Sequence, residues 1–318
     1  MDRASVRQGA PARLPPRRRT LPLLLAATLA LAALVPGRAT ATPPAPARCP
    51  ARLESFTLEA PALERAKRVL VYLPPGYGCE PRRRYPVLYF NDGHDLFVRD
   101  PFAAALDPPL AAEIARREAW YGSWRLDVQL DDAIARGRLP PLVVVGIASD
   151  DGMRSRDLAP TPWSGSAEAR GVAYGAFVAG SVVAAAEARF GIATGRRCRG
   201  IAGASLGAVS ALQIGLAHPE RFGLVLALSP VLRDPPLAGA LAAAWRSAGP
   251  AQILLVDFDD DPIGRADRRR LAALAATTAP SARRTTLLQT PGGRHAIASW
   301  AARVIPALTR LLAARCSQ

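Results

Sequence analysis

The chain has 318 residues, half of them apolar and 21% charged, which suits a globular protein with a large core. Its formal charge of +15 falls to +9 once the seven arginines and one acid of residues 1–41 are set aside, and Lys67 is the sole lysine. No basic stretch is interleaved with aromatics, which argues against a nucleic-acid partner.

Residues 1–20 are basic, and residues 21–35, LPLLLAATLALAALV, form an apolar run too short for a comfortable membrane span. Ala39, Thr40 and Ala41 follow as small residues suited to signal peptidase. Residues 1–41 therefore read as a signal peptide. Export to the periplasm or the outside is expected, with no stable membrane span after processing. The Arg18-Arg19 pair loosely fits twin-arginine export. Residues 42–52 read as a proline-rich linker and residues 53–318 as one folded domain.

Eight strand candidates follow in order. LESFTLE (53–59) alternates apolar and polar, as a half-buried strand does, and RVLVYL (68–73) follows it as a hairpin partner. YPVLYFNDG (85–93), LVVVGIAS (142–149), GIAGAS (200–205), LVLALS (224–229), QILLVDF (252–258) and RTTLLQT (284–290) are mostly continuous apolar runs. Helical patterns lie between them at 124–137, 172–191, 206–219, 236–249 and 266–278, with a last one over 296–315. Two strands followed by strand–helix alternation predict an α/β fold: an eight-stranded, mostly parallel sheet with helices on both faces. Residues 150–165 read as a long polar loop at a strand C-terminus, where such sheets bind ligands. The four cysteines, Cys49, Cys79, Cys198 and Cys316, fit no metal spacing. In an exported chain they read as disulfides. Cys49 and Cys79 flank the hairpin and are expected to pair, leaving Cys198 for Cys316 by elimination.

The chemistry starts at GASLG, residues 203–207. This G-x-S-x-G follows a predicted strand and opens a predicted helix, the context of a nucleophile elbow, with Ser205 as nucleophile. The Leu206 N–H at the helix start is an oxyanion donor candidate. A serine needs a base, and the chain has three histidines. His218 ends the helix after the serine and reads as structural. His94 lies before the serine, in NDGHDLF. His295, in PGGRHAIASW, stands after the last strand, where the order Ser…Asp/Glu…His puts the base. The orienting acid should come from VDFDDDPIG. Asp261, before a proline in a turn, is the first choice, with Asp260 close behind. A second oxyanion donor is expected from the main chain of His94, with Gly93 letting the loop turn. Trp124 and Trp163, with Trp120, are candidates to line the substrate pocket, as is Arg156, beside Arg154, for an acidic substrate.

With these residues the chain resembles the esterase family of α/β hydrolases that includes esterase D-like enzymes, enterochelin esterases, some feruloyl esterases and the mycolyltransferases. The matching words are VYLPPGYGCEPRRRYPVLYFNDGHDLF, PPLVVVGIASDDGMRSRD, GIAGASLGAVSALQIGLAHPERFGLVLALSP and GGRHAIASW. The resemblance covers roughly residues 53–314. It implies an α/β-hydrolase fold, no cofactor, Ser205 and His295 as nucleophile and base, and main-chain donors at His94 and Leu206. Two departures stand out: GASLGA has Ala208 where many relatives have a second glycine, and FDDDP lacks the glycine usual before the acid, which leaves the choice of aspartate open. The expectation is an exported serine esterase acting on a small-molecule ester through an acyl-enzyme. Acyl transfer to an alcohol or sugar, or an inactive hydrolase scaffold used for binding, are the alternatives. Nothing in the sequence speaks to oligomeric state.

Overall fold

The computed structural model describes residues 49–97, a few positions between 108 and 116, and residues 122–149, 152–163, 167–246, 252–277 and 283–313. The signal-peptide reading, Trp120 and most of the linker lie outside these residues.

Strands β1 (Arg52–Ala60) and β2 (Arg65–Leu73) form an antiparallel hairpin in register Arg52↔Leu73 to Ala60↔Arg65, closed by one 3₁₀ turn, Pro61–Leu63. The hairpin brings its outer flanks together, and Cys49 and Cys79 bond there with Cα atoms 5.9 Å apart. Cys198 is a free thiol, and Cys316, its expected partner, lies outside the described residues.

Six more strands complete the sheet: β3 (Val87–Asn91), β4 (Val143–Ile147), β5 (Arg199–Ala204), β6 (Leu224–Leu228), β7 (Gln252–Phe258) and β8 (Arg283–Gln289). Their order is β1-β2-β4-β3-β5-β6-β7-β8, antiparallel as far as the β2–β4 pair and parallel from there on. Strands β3 to β7 are buried at every position, because helices cover both faces of the sheet. Helices α1 (Leu126–Ala135) and α7 (Ile297–Ala313) pack on one face with Leu126, Leu130, Val304 and Leu308. The other face carries α3 (Gly171–Arg189), α4 (Leu206–Ala217), α5 (Pro235–Arg246) and α6 (Pro262–Ala275). By length and composition α3 is apolar enough to cross a membrane, but half of that stretch is buried in the fold.

The segment 150–165 is not all loop: Arg154–Leu158 forms a short helix, α2. Five residues carry too little periodicity to announce a helix. Tertiary ion pairs hold it instead. Asp157 receives Lys67 Nζ of β2 at 2.8 Å, both side chains being 1% exposed, and Arg65 reaches the same carboxylate. Two cations on one buried acid satisfy a charge that alone would be costly.

Candidate active site

The strand-to-helix turn between β5 and α4 holds Ser205 at φ 55°, ψ −123°, a backbone region that non-glycine residues avoid. The turn is tight because its flanks touch. A Cβ on Gly203 would lie 2.2 Å from the Gly207 carbonyl oxygen, so only glycine fits there. The Ser205 N–H donates to the Leu228 carbonyl of β6 at 2.9 Å, which fixes the turn above the sheet's C-terminal edge.

At that edge Ser205 Oγ donates to His295 Nε2 at 2.8 Å, and His295 Nδ1 donates to Asp259 Oδ2 at 2.8 Å. His295 follows Gly292 (φ 69°) and Gly293 in the loop between β8 and α7, and its side chain is 41% exposed. Its ring packs edge-on against Trp300, the centroids 4.9 Å apart.

The carboxylate against the imidazole is that of Asp259, not of Asp261 or Asp260. Asp261 is the N-cap of α6 and accepts from the Gly264 N–H at 2.6 Å. Asp260 pairs with Arg265 at 2.9 Å and meets the histidine loop at its backbone, its carboxylate accepting the Gly292 N–H and its own N–H donating to the Gly293 carbonyl. The reason is strand phase. Ile253 and Leu255 of β7 face α7, while Leu254, Val256 and Phe258 face the opposite core. Asp257 and Asp259 continue the phase of Ile253 and Leu255, on the side from which the α7 loop presents His295.

Residues that the sequence pattern did not single out surround Asp259. Ser229, buried and held at φ 51°, donates to Asp259 Oδ1 at 2.6 Å and accepts from Trp300 Nε1 at 3.0 Å. Arg303 Nη2 donates to the same Oδ1 at 2.7 Å. Burial acts to raise the pKa of Asp259, but the hydrogen bonds from His295, Ser229 and Arg303 outweigh it and hold the carboxyl below the usual aspartate range.

The loop after β3 closes the other side. Asn91 Nδ2 donates to the Gly207 carbonyl at 2.9 Å and Asn91 Oδ1 accepts from Tyr174 at 2.8 Å, stapling this loop to the serine turn. His94 lies in the 3₁₀ turn Gly93–Asp95, and its buried ring accepts the Ser149 N–H at Nδ1. Gly93 is needed for close approach rather than for a left-handed turn: a Cβ there would sit 2.3 Å from the Gly146 carbonyl carbon of β4. The left-handed position is Asp92 (φ 59°), whose carboxylate takes a bidentate pair from Arg154 at 2.8 Å to each oxygen. Burial works to raise the Asp92 pKa, and Arg154 with Ser149 brings it below its ordinary value.

The weaker candidates fall elsewhere. Arg156 is tied to Glu168 at 3.0 Å. Trp124 is buried, edge-on to Phe90 and stacked on Trp300, which makes it core packing. Trp163 packs, partly buried, on the α4 face of the sheet. His218 caps the end of α4 near Glu220, as a structural histidine would. Among the described residues no group of three or more His, Cys, Asp or Glu is arranged to hold a metal ion. A shallow cleft beside His295 is lined by Ser229, Val231, Arg233, Asp259 and Ile263.

The family model described as "Putative esterase" matches residues 60–308. The chain belongs to this esterase family. The esterase is thus a carboxylic ester hydrolase with the α/β-hydrolase sheet described above. Among solved structures it is similar to a ferulic acid esterase, with TM-score 0.60 and 16% identity over 82% of this chain and 98% of that one. It is similar to the enterobactin esterase FES from Shigella flexneri in the presence of enterobactin, with TM-score 0.60 and 19% identity over 82% of this chain. Here the esterase spans only 59% of the other chain. An IroE-like serine hydrolase from Shewanella oneidensis matches with TM-score 0.59 and 17% identity over 81% of this chain and 79% of that one. No curated protein is similar enough in sequence to count as a relative.

Proposed function

We propose that the protein is an exported serine esterase that cleaves a small-molecule carboxylic ester through an acyl-enzyme on Ser205. The observation that carries this reading is the pair of 2.8 Å hydrogen bonds running from Ser205 through His295 to Asp259 on a strained strand-to-helix turn. Each part has a chemical task. His295, with its proton on Nδ1 held by Asp259, offers Nε2 to take the Ser205 proton as Oγ attacks the ester carbonyl. The tetrahedral oxyanion is held by the Leu206 N–H at the start of α4 and the His94 N–H in the loop stapled to it, each such donor being worth roughly 2.7–4 kcal/mol. The imidazolium then protonates the leaving alcohol. Water, deprotonated by the same base, releases the acid. Asp259 keeps its charge throughout and stabilises the imidazolium.

Export is supported by the basic and apolar N-terminal segments and by the Cys49–Cys79 disulfide, which an oxidising compartment preserves. Esterases of similar fold are named for ferulic acid and for enterobactin, so a panel of aryl and phenolic-acid esters is the place to begin. Wild type should turn over at least one ester class. Ser205→Ala should lose on the order of 10⁶ in kcat. A variant that kept most of the activity would refute the mechanism. Running the panel with added alcohols separates hydrolysis from acyl transfer.

A further inference from the structure

We infer that Arg303, on the buried face of α7, is a positioning residue for the triad: it fixes which oxygen of Asp259 meets His295. This rests on the esterase mechanism proposed above.

Arg303 is 5% exposed. Its neighbours on the inward face of α7 are apolar: Trp300, Val304, Ala307 and Leu308. A guanidinium there is expensive to desolvate, and an apolar residue of similar volume generally serves stability as well or better. Its contacts converge on the chemistry. Nη2 donates to Asp259 Oδ1 at 2.7 Å and to Ser229 Oγ at 3.1 Å, and lies 3.4 Å from the carbonyl of Arg294, the residue before His295. Nε is anchored on the Ser299 carbonyl at 3.1 Å, and Nη1 stands 3.8 Å from Asp257 Oδ2. A Cβ on Gly293 would lie 3.2 Å from Nη1, so the histidine loop folds directly over the guanidinium.

The result is a division of labour on one carboxylate. Arg303 and Ser229 occupy Oδ1, and Oδ2 is left for His295 Nδ1. Trp300, one turn earlier on the same helix face, packs on the imidazole and donates to Ser229. One helix face thus positions acid and base together. The charge matters too. Around the imidazole stand Asp259 at the end of β7, Asp257 behind it, Asp260 and Asp261 in the next turn, Arg294 in its own loop, Arg233 across the cleft, and Arg303 from α7. Arg303 is the cation bonded to the carboxylate that faces His295.

The test compares kcat and KM for wild type, Arg303→Met and Arg303→Lys, with Ser205→Ala alongside. Arg303→Met should lower kcat by about 10²-fold, the cost of misplacing a reacting group by about 1 Å, with KM within about twofold. Arg303→Lys keeps the charge but not the fork, so kcat should still fall with KM little changed. Circular dichroism and the melting temperature establish which variants fold. A folded Arg303→Met with wild-type kcat would overturn the inference. Should that variant not fold, Arg303→Lys with wild-type kcat would overturn it. In either case inactive Ser205→Ala would leave the esterase mechanism standing, whereas active Ser205→Ala would remove that mechanism itself.

Discussion

Replacing Asp259 by asparagine should cost about 10⁴ in kcat, and the structure says how. The carboxylate accepts three hydrogen bonds, from His295 Nδ1 at 2.8 Å, Ser229 Oγ at 2.6 Å and Arg303 Nη2 at 2.7 Å. An asparagine can keep its oxygen toward Ser229 and Arg303, which both donate. Its amide NH₂ then faces His295, and a donor there selects the tautomer protonated on Nε2. That nitrogen would donate to Ser205 instead of accepting its proton, so the base is lost although the geometry survives. Four powers of ten correspond to about 5.4 kcal/mol of transition-state stabilisation. The paired control is Asp261→Ala, which removes the α6 N-cap and should cost about 1 kcal/mol of stability with kcat nearly unchanged. Both are read by steady-state kinetics on the best aryl ester and by thermal melts. Asp259→Asn retaining a tenth or more of wild-type kcat, or a folded Asp261→Ala losing a thousandfold, would refute the assignment of the acid.

Two further outcomes follow from the structure. The Cys49–Cys79 bond closes a loop of sequence separation 30, so its reduction, or Cys49→Ser with Cys79→Ser, should lower stability by about 3–4 kcal/mol, measured by denaturant titration, with kcat of the folded fraction retained. Asp92 and Asp259 both have folded pKa values below the ordinary aspartate value, so their contribution to stability is fully present above about pH 4 and is lost as pH falls through the lower, folded values. Melting temperature should therefore be insensitive to these groups from pH 7 to 5 and should drop below pH 4, and Asp92→Asn should flatten that drop; a profile identical to wild type would contradict the linkage.

The sheet was legible in the sequence because its strands are short apolar runs bounded by turns, and eight such runs appear as eight strands. The meeting of Ser205 and His295 at one sheet edge was legible, because motif context and chain order converge there. The carboxylate that meets His295 was not legible, because turn chemistry favours Asp261 while strand phase brings Asp259 to the imidazole. Ile253, Leu255, Asp257 and Asp259 share one face of β7, and counting by twos from the apolar pair reaches the aspartate that meets His295. Ser229, Arg303 and the Asp92–Arg154 pair were not visible, since they join positions 30 to 74 residues apart and no local spacing encodes such contacts. Arg303 did leave a trace, as the charged residue inside the apolar stripe of an amphipathic helix. Helix α2 left none, being held by Lys67 and Arg65 from a distant strand.

The most direct test of the mechanism is mass spectrometry after treatment with an alkyl fluorophosphonate, which traps an activated serine. One adduct is predicted, on the peptide carrying Ser205. It should be absent in Ser205→Ala and formed far more slowly in His295→Ala. An adduct on another residue, or an active enzyme that stays unlabelled at Ser205, would contradict it.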